Sequence, residues 1–109
     1  WVKEAQDVIE ASGGYVVKTI VTNKSGVHDI LACIPDRAGI GRFCSLEGKL
    51  AYNKMSALQI AHRNKVIRAG GLAKEIKTVG DLIDVIEQVN RNYIQRIEDE
   101  VGQLKEFNI

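Results

Sequence analysis

The spacing of apolar and polar positions changes several times along the chain, and each change marks a predicted element. In residues 2–12 the apolar residues recur at helical spacing, and a Gly-Gly pair ends the predicted helix. Residues 15–21 are, apart from Lys18, β-branched or aromatic and predict a strand. Residues 27–34 are apolar on both faces, so they predict a second strand at a central position in a sheet. Residues 41–50 predict a third strand.

The second half of the chain predicts two helices and one more strand. Ser56 is suited to cap a helix that ends at a second Gly-Gly pair, and residues 72–77 predict a short strand. Thr78 and Asp81 resemble a capping box, with Asp in place of the usual Glu or Gln. A long helix from Asp81 to Leu104 follows, because its apolar residues recur at steps of three and four.

This αβββαβα order predicts an α/β fold: one domain over residues 1–109, with a mixed sheet flanked by helices and a long C-terminal helix. The part of that helix beyond Asn90 is longer than so small a domain needs. It either joins two copies of the chain or lies across its own sheet, and the pattern leaves both open.

Composition indicates a folded, water-soluble chain. Hydrophobic residues make up 45% and charged residues 27% of the 109 residues. No apolar run approaches the roughly 20 residues that span a bilayer, and no signal-peptide pattern opens the chain. The chain starts at Trp1, so a start methionine or a longer N-terminus is expected to be missing. Cys33 and Cys44 are expected to be buried, reduced thiols of a cytosolic protein, with a disulfide between neighbouring strands as the minor alternative.

Charge is unevenly distributed although the net charge is +1. Residues 35–78 contain nine Lys or Arg and three acids, whereas residues 79–109 contain three Lys or Arg and seven acids. A basic middle and an acidic tail fit a polyanion site on one face, although an ordinary solvated surface is nearly as good an explanation.

Three charged residues on the second and third strands suggest a chemistry. Glu47 and Lys49 point the same way in a strand, and Asp29 joins them if the register permits. Two adjacent carboxylates repel when ionised, and a divalent cation such as Mg²⁺ between them removes the conflict. Lys49 could then orient or help deprotonate an attacking water. A solvent-exposed Glu–Lys ion pair is the plain alternative, but apolar neighbours place these charges in a mostly buried strand.

Gly48 lies between the acid and the lysine. A glycine inside a strand often marks the close approach of another group, and its carbonyl can serve as a metal ligand.

Four stretches carry a family resemblance: SGVHDI at 25–30, FCSLEGK at 43–49, KMSALQ at 54–59 and GGLA at 70–73. Together they resemble the motifs of the PD-(D/E)XK nuclease superfamily, in particular its small phage and archaeal branch. That branch includes the VRR-NUC nucleases and the archaeal Holliday-junction resolvases. The resemblance covers roughly residues 4 to 86.

The resemblance implies a role for several residues. Asp29 and Glu47 would bind the metal, Gly48 would donate its carbonyl, and Lys49 would assist the water. Gln59 would lie beside the site. An acid on the first helix would complete the ligand set; Glu4 matches best, and Glu10 is the fallback.

Two positions depart from the family pattern. His28 stands where the motif usually has Pro, and it is expected to be structural and to face away from Asp29. Gly48 replaces the usual bulky apolar residue.

The helix after the third motif predicts a DNA surface. Gln59, His62 and Arg63 share one face at steps of three and four, and with Lys54 they could contact phosphates beside the scissile bond. No chemistry is assigned to His62. The candidate DNA-binding residues are Lys54, Ser56, Arg63 and Arg42.

The leading prediction is a Mg²⁺-dependent DNA endonuclease, with Mn²⁺ able to substitute, acting as a homodimer or higher homo-oligomer. By resemblance, its substrate is branched DNA or a phage-type or homing-type duplex site. Its location would be a prokaryotic or phage-infected cytoplasm. A non-catalytic nucleic-acid-binding module derived from a nuclease is the first alternative, and a structural α/β domain that binds a partner through its long helix is the second.

Overall fold

The computed structural model describes residues 1–19, 26–49 and 54–107, apart from the side chains of residues 93 and 103–107. The predicted order of elements is confirmed. The elements are α1 (Val2–Ala11), β1 (Tyr15–Lys18), β2 (Ile30–Pro35), β3 (Gly41–Gly48), α2 (Ala57–Arg68), β4 (Leu72–Ile76) and α3 (Val79–Phe107). Parts of the predicted first strand and of the loops at 22–26 and 51–55 lie outside the described residues. In the described part of the chain, every helix is too short or too polar to cross a bilayer.

The strands form one mixed sheet in the order β1-β2-β3-β4. The first two pairs are antiparallel, and β3 pairs in parallel with β4. This is the predicted α/β architecture, with helices on the sheet and a long helix at the C-terminus.

The two faces of the sheet have different coverings. Leu46 of β3 is completely buried and belongs to a core that α1 and α3 complete with Ile9 and Val85. Ser45 points to the opposite face, where it contacts His62 of α2. Because side chains alternate along a strand, even-numbered β3 residues face the core and odd-numbered ones face α2.

β2 is central in the sheet, as predicted, but it is not buried on both faces. Its burial alternates: Ile30 and Ile34 are buried, whereas Leu31 is half-buried and Cys33 is exposed. α2 packs against β3 and β4, which explains why the far face of β2 stays open. The prediction that Cys33 is buried is therefore wrong. Both cysteines are free thiols, and Cys44 is buried.

The two halves of α3 differ in how they pack against the rest of the chain. Asp81 Oδ2 accepts hydrogen bonds from the backbone N–H groups of Lys77 and Thr78, at 2.8 and 3.1 Å, and this confirms the predicted cap. The first half packs against the sheet through buried Leu82, Val85 and Val89. In the second half the apolar residues Ile94, Ile97 and Val101 are exposed. The same half also contacts the end of the sheet, because Arg96 pairs with Asp36 at 3.1 Å. Both alternatives for this half therefore stay predictions.

Candidate active site

Asp29 and Glu47 face each other across β2 and β3. The register pairs Ile30 with Leu46, and one step further it brings Asp29 opposite Glu47. The backbone N–H of Asp29 donates to Glu47 Oε2 at 3.0 Å, and the N–H of Gly48 donates to Asp29 Oδ2 at 3.1 Å. Asp29 precedes the first residue of β2, so its N–H bonds to a side chain and not to a strand partner. The strand pairing therefore brings Asp29 to Glu47, which is the condition on which the predicted site depends.

Glu47 is a buried carboxylate, with 4% of its surface exposed. Burial raises the pKa of Glu47, and the neighbouring Asp29 carboxylate raises it further. The hydrogen bond from Asp29 and the nearby His28 and Lys49 act in the opposite direction and only partly offset these effects. The raised pKa means that burial, with the Asp29 charge, disfavours the ionised form of Glu47, which positive charge beside it would stabilise. A cation at this position would supply that charge.

Lys49 lies immediately after β3. Its Nζ is 3.7 Å from Glu47 Oε1, and one-fifth of its side chain is exposed. The backbone N–H of Lys49 donates to the carbonyl of Ile76 at 3.0 Å, which continues the β3–β4 ladder for one further step. The ammonium group is therefore held at the edge of the carboxylate pair, where it is accessible to solvent.

Gln59 links the start of α2 to the carboxylate pair. It is the third residue of the helix, and it forms a complete capping box with Ser56. Its Oε1 accepts from the N–H of Ser56 at 2.9 Å, which fixes the amide so that Nε2 donates to Glu47 Oε1 at 2.6 Å. A local helix-start pattern thereby positions a side chain at the site.

A histidine pair under α2 is a part of the site that sequence reasoning did not find. His28 is completely buried, and its Nε2 is 3.0 Å from the carbonyl oxygen of Gln59. The rings of His28 and His62 meet edge to face with centroids 4.6 Å apart. His62 Nε2 lies 2.8 Å from Ser45 Oγ. The sequence marks His28 as a departure from the motif and predicts that it faces away from Asp29, but its ring lies under α2, on the face where Gln59 reaches Glu47.

These contacts change the role of the α2 face that the sequence predicts to bind DNA. Gln59 and His62 were expected to contact DNA phosphates together with Arg63, but the structure turns both toward the sheet. Of the three, Arg63 is at the border of the buried face, with a half-buried side chain. Lys54 and Ser56 are exposed just before the helix, on the same side of the sheet as Gln59.

Arg42 is not brought together with these residues. As an even-numbered β3 residue it faces the α3 side, where it lines a small cavity with Asp36, Asn92 and Arg96. The structure thus separates Arg42 from Lys54, Ser56 and Arg63.

Trp1 accounts for the glycine at position 48. A Cβ atom added to Gly48 would overlap the indole ring of Trp1. The predicted close approach of another group to this glycine is confirmed, and that group is an aromatic side chain from the start of α1.

The first-helix acids are placed apart from the carboxylate pair. Glu4 is exposed, and its Oε2 lies 3.1 Å from the amino group of Trp1. Glu10 is exposed on the last turn of α1. Among the described residues, no group of three or more His, Cys, Asp or Glu side chains is arranged to hold a metal ion. The structure therefore does not bring Glu4 or Glu10 to Asp29 and Glu47.

The donors that could hold a cation are the Asp29 and Glu47 carboxylates, with the Gly48 carbonyl beside them. This set fits Mg²⁺, which is usually held by one or two carboxylates, water and substrate phosphate and needs no closed protein cage. The observation that supports the fit is geometric: a buried Glu47 carboxylate lies opposite the Asp29 carboxylate, and backbone N–H groups fix both.

The mixed sheet, its flanking helices and the long C-terminal helix define an α/β fold of the nuclease type. Comparison with solved structures agrees. A VRR_NUC domain, which is a domain of the PD-(D/E)XK nuclease type, superposes with a TM-score of 0.65 at 25% identity, covering 79% of this chain and 89% of that one. The resemblance predicted from the sequence motifs is confirmed. No protein-family model and no curated protein matches the chain.

Proposed function

We propose that the chain is a metal-dependent DNA endonuclease that hydrolyses phosphodiester bonds. The observation that carries the proposal is the pair of opposed carboxylates, Asp29 and Glu47, with Lys49 and Gln59 both directed at Glu47. An exposed structural ion pair does not explain this arrangement, because Glu47 is buried and its charge is opposed by Asp29. The nuclease-type fold supports the same conclusion.

The positions of the site residues suggest what each would do in phosphodiester hydrolysis. A divalent ion bound by the carboxylates would lower the pKa of a water molecule and polarise the phosphate. Asp29 and Glu47 would hold the ion, and each carboxylate is fixed because it accepts a backbone N–H from the opposite strand. Lys49 can orient the attacking water and offset the charge that develops on the phosphate. Gln59 keeps Glu47 in one rotamer.

DNA would approach at the end of β3, where α2 begins. Lys54 and Arg63 are suited to bind phosphates next to the scissile bond, and Ser56 offers a hydroxyl group at the helix start. The proposed substrate is branched DNA or a phage-type or homing-type duplex site, as the family resemblance suggests. Two strands require two active sites, so we propose a homodimer in which the exposed half of α3 joins the copies.

A non-catalytic nucleic-acid-binding module is the second candidate. The exposed position of Glu4 favours it, because the first-helix acid is not at the carboxylate pair. Such a module would bind DNA with a steep salt dependence, but it would not cut in Mg²⁺ or Mn²⁺.

A labelled substrate panel separates the two candidates. Linear duplex, nicked duplex, splayed arm, four-way junction and single strand would each be incubated with Mg²⁺, Mn²⁺ or EDTA. The nuclease proposal expects cutting in the metal buffers and loss of cutting in Glu47→Ala, while Glu87→Ala, an exposed α3 acid, cuts like the parent. Binding of every substrate without cutting would support the binding module.

A further inference from the structure

A cavity of about 420 Å³ adjoins the carboxylate pair on the opposite face of the end of β3. Gly48 and Lys49 belong to its lining and also to the candidate active site. Its size is within the range of roughly 300–1,000 Å³ that is typical of ligand pockets. Trp1, Ala5, Ile76, Val79 and Leu82 form its apolar walls, and its polar lining residues are Glu4, Lys49, Lys77 and Thr78.

Trp1 is the main aromatic wall of this cavity. Its indole ring lies against the backbone of Gly48, in the space that any side chain at position 48 would fill. About one-third of the Trp1 side chain, 35%, remains exposed, so its contact with the glycine leaves part of the ring accessible. The glycine therefore allows an accessible aromatic surface to lie directly beside the residue whose N–H holds Asp29.

The occupant that matches this lining is an unpaired nucleobase with its phosphate. Nucleobases present flat apolar faces, which stack on Trp, and polar edges, which need hydrogen-bonding groups. Lys49 and Lys77 supply positive charge at the border of the cavity, although Lys77 lies 3.9 Å from Glu75 and is partly neutralised. Glu4 can accept a hydrogen bond from a donor on the base edge, such as the N3–H of thymine.

We propose that the Trp1 cavity binds one unpaired nucleobase of the DNA strand that lies in the active site. The inference rests on the proposed function and deepens it. A base stacked on Trp1 would place the neighbouring phosphate near Gly48 and Lys49, so the site would prefer strands with an unpaired base, such as branch points and single-stranded ends. The substrate class is thereby narrowed from duplex sites toward branched or frayed DNA.

Tryptophan fluorescence monitors this cavity directly, because Trp1 is the single tryptophan of the sequence. A short thymidine oligonucleotide, an abasic oligomer of equal length and a blunt duplex would each be titrated in low-salt buffer with EDTA, so that nothing is cut. Anisotropy of a labelled strand measures binding, and tryptophan emission measures stacking. We expect the thymidine strand to quench Trp1 and the abasic strand and blunt duplex to quench it much less.

Three variants test the role of the ring. Trp1→Ala should weaken binding of the thymidine strand by about 5- to 150-fold, the range expected for loss of one base stack. Trp1→Phe should restore most of that loss. Gly48→Ala should weaken binding like Trp1→Ala, because its Cβ displaces the indole. Thermal unfolding, followed by circular dichroism, shows whether each variant is folded. If Trp1→Ala does not fold, the comparison of Trp1→Phe with the parent still tests the role of the ring.

The outcomes separate this inference from the nuclease proposal. Unchanged Trp1 emission on a strand that the protein binds, or cuts in Mg²⁺, overturns the cavity assignment and leaves the nuclease standing. Quenching by the strand without cutting in any metal supports the cavity and removes the nuclease. If neither binding nor cutting occurs, both fail, and a Trp1 emission that instead changes with protein concentration alone assigns the cavity to a second copy of the chain.

Discussion

Asp29 and Glu47 are locked together by hydrogen bonds that cross between two strands. The N–H of Asp29 holds Glu47 Oε2 at 3.0 Å, while Asp29 Oδ2 accepts from the residue that follows Glu47, at 3.1 Å. The two carboxylates are consequently fixed by backbone groups, and the Gln59 amide holds the second oxygen of Glu47. Such a pre-formed pair of oxygen donors is what a hard cation requires.

The raised pKa of Glu47 predicts a specific pH dependence of stability in metal-free buffer. A raised folded-state pKa means that the contribution of this carboxyl to stability is complete below its unfolded pKa of about 4.3 and is lost as the pH rises through the folded value. Glu47→Gln remains uncharged at every pH. The Tm of Glu47→Gln minus that of the parent should therefore increase from acidic to neutral pH.

Thermal unfolding of both proteins across that pH range measures this difference in Tm. An effect of the new amide that does not depend on pH shifts every difference equally and leaves the slope with pH unchanged. Glu87→Gln, at an exposed position, should give a flat difference. A flat difference for Glu47→Gln as well would mean that Glu47 has an ordinary pKa.

Gln59 should matter for activity because it holds Glu47 Oε1 at 2.6 Å. Residues that orient metal ligands typically contribute about 10- to 100-fold to metal affinity or activity, so Gln59→Ala should lose that much cleavage rate. Part of the loss should be recovered at higher Mg²⁺ concentration, since the defect is in holding a ligand. Gln88→Ala, on an exposed turn of α3, should cut like the parent, and equal rates for both variants would contradict the role.

The two cysteines should differ sharply in reactivity. Burial raises the pKa of Cys44 to about 12, so its thiolate is scarce at neutral pH, whereas Cys33 is exposed. Mass spectrometry after iodoacetamide treatment of the native protein should find one alkylated thiol, on Cys33. Both should react in denaturant, and rapid native labelling of Cys44 would show that the core around β3 opens.

The exposed half of α3 should join two chains. Ile94, Ile97 and Val101 recur at steps of three and four, the spacing of a coiled-coil seam, and each is about two-fifths exposed. Light scattering should give a dimer mass for the parent and a monomer mass for Ile97→Asp. Glu98→Lys, at the neighbouring exposed position, should leave the dimer intact. A monomer mass for the parent would remove the dimer.

Local patterns made much of the fold and of the site predictable. The cap at Ser56, the cap at Asp81 and the alternation along β3 are local, and each was present in the residues themselves. The carboxylate pair was also accessible, because a strand register has few solutions and one of them opposes Asp29 to Glu47.

The contacts that sequence reasoning missed all depend on which face of the sheet each helix covers. Cys33 is exposed because α2 covers β3 and β4 and leaves β2 open. Arg42 faces α3 by the same parity that turns Glu47 toward α2. Trp1 and Gly48 are far apart in the sequence, with α1 and three strands between them, so no local pattern encodes their contact.

Cleavage of DNA by matched variants tests the central claim most directly. The parent, Glu47→Gln, Lys49→Ala and the exposed control Lys3→Ala would be compared in single-turnover reactions on the preferred substrate with Mg²⁺. The account predicts metal-dependent cutting by the parent and by Lys3→Ala, and rates lower by about 10²–10⁴-fold for the other two variants, as is usual when a group that acts on the reacting water is removed. Cutting by Glu47→Gln and Lys49→Ala at the parental rate would contradict it.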